Sequence, residues 1–240
     1  VVAQDIGEIK ERTAQLEFLN RELSSLSYSM AHSLRTPLRA LDGFSYILME
    51  EYNQSLDETG RDYLKHIRDA SHQMWRVTED LVELLSITNQ KLVRETVNIS
   101  EIAGDIMHSV GMAHPERDVE FICTPGLMVK ADAEMMQVLM GHLLENAWKF
   151  TSGRHPARIE LGRLEQTGMD VFFIRDNGIG FDMAFYDKLF GVFQSLHEPG
   201  RFDGTGMGLA TAQRVLQRHG GHIWAEGAVD QGATFYFTLG

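Results

Sequence analysis

The chain has 240 residues and carries 22 Lys plus Arg against 34 Asp plus Glu, a net charge of −12. That length provides one or two domains with real cores, and a 43% hydrophobic fraction argues against global disorder. The acidic balance argues against non-specific nucleic-acid or anionic-membrane binding, which needs clustered cations, and no stretch approaches the roughly 20 apolar residues that cross a bilayer.

The sequence opens Val1-Val2-Ala3-Gln4 with no initiator Met and no visible signal peptide, which reads as a piece of a longer chain. Apolar residues then fall at Leu16, Leu19, Leu23, Leu26, Met30, Leu34, Leu38, Leu41 and Phe44, steps of three and four that mark one stripe of a long α-helix. Pro37 lies within it and should bend the helix or loosen one turn. The pattern weakens through Asn53-Gln54-Ser55, and a second stripe runs through Tyr63, Ile67, Ala70, Met74, Val77, Leu81 and Leu84, with Asp57 placed to cap it. Two amphipathic helices with a short connection make an antiparallel hairpin. One hairpin buries one side of each helix, so a second copy, giving a dimeric four-helix bundle, is expected to bury the rest.

The texture changes near Lys91, so domains are expected at 1–90 and 91–240. Short β-like runs at Val119 to Thr124, Ala157 to Leu164, Val171 to Ile174, His222 to Ala225 and Ala233 to Leu239 alternate with helical stretches at Ser100 to Val110, Ala133 to Phe150 and Met207 to Arg218. This predicts an α/β sandwich with helices on one sheet face. The lone cysteine, Cys123, excludes an internal disulfide and a cysteine-built zinc site, and its neighbours Phe121 and Ile122 make it a core residue. Phe181 to Thr205 is irregular; a loop that long reads as a functional lid or as disorder.

Three segments could carry chemistry. His32, in Ser29-Met30-Ala31-His32-Ser33-Leu34-Arg35-Thr36-Pro37-Leu38, is turned about 200° from Met30 and so points away from the stripe. An exposed imidazole is nucleophilic near neutral pH, though alone it reads first as a solvated surface histidine. Asp176-Asn177-Gly178-Ile179-Gly180 follows a strand, and Gly204-Thr205-Gly206-Met207-Gly208-Leu209 opens a helix; glycines let backbone approach a phosphate, and N–H groups at a helix start bind anions. Neither a Rossmann fingerprint nor a Walker A motif is present. In Glu145-Asn146-Ala147-Trp148-Lys149-Phe150-Thr151, Asn146 and Lys149 share a helix face, and their amide oxygen and ammonium suit Mg²⁺ and phosphate. By contrast, His219-Gly220-Gly221-His222 reads as a helix-ending glycine pair rather than a metal site.

In order and spacing these segments resemble the sensor histidine kinases of two-component systems, with an H box, an N box, two glycine boxes, an aromatic box (Lys188-Leu189-Phe190-Gly191-Val192-Phe193) and a closing Gly232-Ala233-Thr234-Phe235. The wording of the C-terminal half most resembles kinases downstream of PAS or phytochrome-type sensors. The resemblance implies a dimerisation and histidine-phosphotransfer hairpin followed by a Bergerat-type ATP-binding domain. It implies that Asp176 accepts from the adenine amino group with Thr234 in support, that Asn146 holds Mg²⁺, and that Lys149 contacts phosphate. Gly178, Gly180, Gly204, Gly206 and Gly208 would shape the loops around ATP, with Phe190 and Phe193 anchoring a lid. His32 would take the γ-phosphoryl group and relay it to an aspartate of a response regulator, with Thr36 orienting water in a phosphatase reaction. A homodimer, an upstream sensor domain and a cytoplasmic location complete the implication.

Three positions depart from the family pattern. Ser33 stands where an Asp or Glu usually follows the phosphoacceptor, His142 where a second Asn is usual, and Ser195 where a basic residue is frequent, with Arg201 the nearest guanidinium that could substitute. These departures leave a second reading open: a catalytically weak signalling dimer that binds nucleotide and a regulator without transferring phosphate.

Overall fold

The computed structural model describes residues 2–166, 168–194, 196 and 204–240, and over much of 3–24 the backbone alone. The chain divides into two compact units, Val1–Asn89 and Gln90–Gly240. The first is made of two helices, α1 (Val2–Glu51) and α2 (Glu58–Asn89). Asp57 caps α2 by accepting the Gly60 N–H at 2.7 Å, which satisfies one orphan donor of the first turn. Pro37 removes one ladder hydrogen bond, yet α1 runs through it as a single helix.

The two helices are antiparallel, as their cross-links show. Arg35 grips both carboxylate oxygens of Glu79 at 2.9 and 3.0 Å, Arg39 lies over Trp75 at 5.8 Å, and Asp42 accepts from Arg68 at 3.0 Å. Between them runs a narrow seam of Ala31, Leu38 and Ser45 against Leu64, Ser71 and Thr78, each set spaced by seven. Four of these six side chains are small, which lets the helices approach closely. Of the described α1 stripe residues, only Leu38 is in the seam; Met30, Leu34, Leu41 and Phe44 remain 65, 52, 46 and 69% exposed. Met30 sits one residue, about 100°, round the helix from Ala31. Ile67 and Met74 of α2 are exposed in the same way. Leu16, Leu19 and Leu23 lie outside the described side chains.

The second unit contains β1 (Glu95–Asn98), α3 (Ile99–Ala113), β2 (Val119–Cys123), β3 (Met128–Ala131), α4 (Ala133–Phe150), β4 (Ala157–Gln166), β5 (Met169–Asp176), α5 (Gly208–Arg218), β6 (Ile223–Ala228) and β7 (Gly232–Phe237), with a 3₁₀ turn at Met183–Lys188. The main sheet has the order β2-β4-β5-β7-β6, in which only β2 and β4 are parallel, and β1 and β3 form a separate ribbon. Alternation sorts the main sheet into two faces. Leu161, Ile174, Phe235 and Ala225 are aligned across four strands and buried, facing a helical layer whose Met136, Leu139, Met140 and Leu143 on α4 and Val215 and Leu216 on α5 are fully buried. Asp176 belongs to this covered face, in a row with Ile159, Ala233 and Gly227. The opposite face carries a row of Glu160, Arg175, Thr234 and Glu226. Cys123, expected in the core, is only half-buried because β2 is an edge strand, though that burial still raises its thiol pKa.

Candidate functional site

α4 presents His142, Asn146 and Lys149 at positions i, i+4 and i+7, one face of the helix. That face meets the glycine segment that opens α5. A Cβ on Gly208 would stand 3.0 Å from His142 Nδ1, and one on Gly204 2.9 Å from Lys149 Nζ. Gly206 has φ +73°, and a Cβ there would lie 2.5 Å from the Gln194 carbonyl oxygen. The segment is thus glycine-rich where it must pass polar side chains and backbone at close range. α4 is held at this end by Arg117, which donates to the Trp148 carbonyl at 2.8 Å and to Thr151 Oγ1 at 3.2 Å and lies over the Trp148 ring.

The loop after β5 is fastened on both sides. Ile179 N–H donates to the Phe150 carbonyl at 3.1 Å, and Asp230 N–H donates to the Ile179 carbonyl at 2.6 Å. Arg154 donates to the carbonyls of Gly178 at 3.1 Å and Asp230 at 2.7 Å. A Cβ on Gly178 would meet the Phe150 carbonyl oxygen at 2.5 Å; Gly180, at φ +60°, would place one 1.9 Å from the Ala228 carbonyl oxygen.

Asp176, 6% exposed, ends β5 beside this loop. Its carboxylate accepts the Gly178 N–H at 2.8 Å and the backbone N–H of Ala233. Burial outweighs these two bonds and lifts its pKa from 3.8 to about 6. A carboxyl kept in the covered face of a sheet at such a cost is a functional-site candidate on physical grounds.

Two expected contributors stand elsewhere. Thr234 is paired with Arg175, so its side chain lies on the opposite sheet face, where its Oγ1 accepts from Arg175 Nε at 3.4 Å; the support for Asp176 comes from the backbone of Ala233. Phe193 is 56% exposed at φ 60°, whereas Phe190 is half-buried edge-on against Tyr186 with ring centroids 6.1 Å apart. Arg201 and Ser195 lie outside the described residues.

In the helical unit, His32 and Thr36 are one turn apart on α1 and both exposed, while adjacent Ala31 is 2% exposed in the seam. Ser33 Oγ donates to the Ser29 carbonyl at 2.9 Å, a helix back-bond. Arg117, Arg154 and the Ala233 N–H were not foreseen from the sequence, because each acts through backbone groups far away in the chain.

Two family models match the chain: "His Kinase A (phospho-acceptor) domain" over residues 22–90, and "Histidine kinase-, DNA gyrase B-, and HSP90-like ATPase" over residues 131–240. Cyanobacterial phytochrome B of Nostoc sp. is 30% identical over all of this chain and 32% of its own length. The methanogenesis regulatory histidine kinase FilI of Methanothrix harundinacea is 30% identical over 97% of this chain and 26% of its own. The chain spans about a third or less of the length of these curated relatives. Full-length ShkA, solved in complex with AMPPNP, shares the fold at TM-score 0.64 and 22% identity, covering 90% of this chain and 45% of that one.

Proposed function

From the premise that this chain belongs to the sensor histidine kinases of two-component systems, we propose that it binds ATP through its second unit and transfers the γ-phosphoryl group to His32. The observation that carries the reading is Asp176, a buried carboxylate on the helix-covered sheet face next to glycines whose neighbours leave no room for a side chain. A carboxylate acceptor matches the adenine amino group and rejects guanine, which offers an acceptor at that position. Lys149 offers charge to the phosphates, and the N–H groups of Gly206 and Gly208 offer donors at the α5 N-terminus. Asn146 has the amide oxygen to hold Mg²⁺, which when bound neutralises phosphate charge.

In the transfer, a bond forms between an imidazole nitrogen of His32 and the γ-phosphorus. The bond from that phosphorus to the β–γ bridging oxygen breaks, ADP leaves, and the ring proton passes to solvent. The exposure of His32 fits a group that must meet both nucleotide and a response regulator. Relay then moves the phosphoryl group to a regulator aspartate, and Thr36, one turn on, has the hydroxyl to orient a water that hydrolyses the regulator's aspartyl phosphate to aspartate and inorganic phosphate. The apolar residues left exposed on α1 and α2 support a homodimeric four-helix bundle. The relatives' names support a sensor domain in the whole protein. No described helix is long and apolar enough to cross a membrane; the ATP requirement supports a cytoplasmic place for these units.

The test is incubation with γ-labelled ATP and Mg²⁺. Acid-labile label that vanishes in His32→Gln is expected. Nucleotide binding without any label in the unmodified chain would replace the kinase reading by that of a nucleotide-binding signalling dimer.

A further inference from the structure

His219 closes α5 and is completely buried. Its Nε2 accepts the Asp132 N–H at 3.0 Å, so the ring proton is on Nδ1, which donates to the Val215 carbonyl at 2.8 Å. One neutral tautomer is thereby locked between the last turn of α5 and the cap of α4. Asp132 itself caps α4, accepting the Met135 N–H at 3.2 Å with one oxygen and the Val93 N–H at 3.0 Å with the other. Arg94 Nη2 donates to the His219 carbonyl at 2.8 Å. Gln90 donates to Glu134 at 2.8 Å and accepts at its carbonyl from Arg218. These attachments of Gln90–Arg94, the segment that directly follows α2, are to the start of α4 and the end of α5, while the other Arg94 Nη donates to the Gly240 carbonyl.

At their other ends the same two helices carry the candidate nucleotide residues: α4 ends at His142, Asn146 and Lys149, and α5 begins at Gly208. Nine or ten helical residues, about 14–15 Å, separate the lock from the His142–Gly208 contact. The helix faces between are fully buried, with Met136, Leu139, Met140 and Leu143 on α4 and Ala212, Val215 and Leu216 on α5. A core that dense passes a displacement along rather than absorbing it.

We infer that His219 is a positioning residue. Its imidazole ties the start of α4 to the end of α5, the two helix ends that hold the segment leaving α2, and so sets the spacing between Asn146 and Lys149 on one side and the Gly204–Gly208 segment on the other. The nucleotide part of this inference rests on the function proposed above; the mechanical part does not.

The experiment compares the whole chain with His219→Leu, which fills the space without an acceptor, and His219→Gln, whose amide oxygen can take the place of Nε2. Amide hydrogen exchange and affinity for a trinitrophenyl-ATP probe are read on each. In His219→Leu, peptides covering 146–151 and 204–208 should exchange about tenfold faster and probe affinity should fall about tenfold, the scale of one lost buried hydrogen bond. His219→Gln should bring both back to near wild type. Should His219→Leu fail to fold, Arg94→Gln, which frees the segment from the His219 carbonyl, should raise exchange at 204–208 in the same direction. Faster exchange confined to Val93, Asp132 and the α5 end would overturn the inference, as would equal damage from Leu and Gln. An unmodified chain that binds no probe would remove the ATP reading while the exchange data still decide the role of His219.

Discussion

Replacing Asp176 by Asn should make the second unit more stable while weakening nucleotide binding. Carrying the carboxyl from 3.8 to about 6 costs the ionised folded state about 3 kcal/mol at 1.4 kcal/mol per pH unit. Asn removes that cost but keeps one acceptor where the carboxylate has two. One oxygen must then serve the N–H groups of both Gly178 and Ala233, so one of the two bonds is weakened or lost, a loss of about 1–2 kcal/mol. The net at pH 8 is a gain of about 1–2 kcal/mol, which at about 2–4 °C per kcal/mol is a few degrees in Tm. The pH dependence is the sharper part. A carboxyl with a raised folded pKa binds its proton more tightly in the folded state. The native protein therefore gains stability relative to the Asn variant as pH falls from above 6 toward 4. Between pH 8 and pH 4.5 the difference between the two should move by about 2 kcal/mol in favour of Asp. Urea unfolding at both pH values, followed by tryptophan fluorescence, measures it. A variant less stable than wild type at pH 8, or a difference that stays constant with pH, would refute the account of Asp176 as a carboxyl held in place against its desolvation.

Gly180→Ala should destabilise by on the order of 2–4 kcal/mol, because its Cβ would sit 1.9 Å from the Ala228 carbonyl oxygen at φ +60°; thermal unfolding reads the loss, and a wild-type Tm would show that the loop can rearrange. Phe44→Glu, at a site 69% exposed on α1, should turn the proposed dimer into a monomer in sedimentation equilibrium with the hairpin's helicity retained, and an unmodified chain that is already monomeric would remove the dimer. Ser33→Glu should raise the rate of label incorporation at His32 by about 10²-fold or more, the usual worth of a positioned general base, since Ser33 now spends its hydroxyl on the Ser29 carbonyl; an unchanged rate in a transfer assay would place the proton acceptor elsewhere. His219 has its pKa lowered by burial, with Arg94 and Arg218 also disfavouring its charge and Asp132 opposing them. The stability it contributes is complete above its unfolded value of about 6.5 and is lost as pH falls through the lower folded value, so acid unfolding should be less steep in His219→Gln.

The sequence was most legible where one short period governed a long element. Ala133–Phe150 is recovered residue for residue, because a helix with four buried apolar residues per two turns and an Asp before it leaves little choice of boundaries. The five strands of the main sheet are likewise found, with ends shifted by a few residues, since pairing rather than side-chain pattern decides where a strand stops. β1 and β3 are not legible in the sequence: four residues each give a period of two no room to repeat, and the partners are 30 to 36 residues apart in the chain.

The placement of Thr234 and that of the α1 stripe have one common cause. Thr234 is adjacent in sequence to Ala233, and sequence reasoning assigned the neighbouring threonine to Asp176; yet a one-residue step along a strand reverses the face. The same logic governs α1, where a step from Met30 to Ala31 moves from the exposed stripe to the intrachain seam. Apolar size pointed to Met30, Leu34 and Phe44 as the strongest buriers, but two long helices pack closest where their side chains are smallest, so Ala31, Ser45 and Ser71 hold the hairpin and the bulky residues face outward. A chain that selected for a stable single hairpin would have placed the large residues in the seam. Keeping them on a second face forgoes intrachain burial and leaves a surface suited to the proposed dimer, and His32, the proposed phosphoacceptor, stands on the same helix beside that seam.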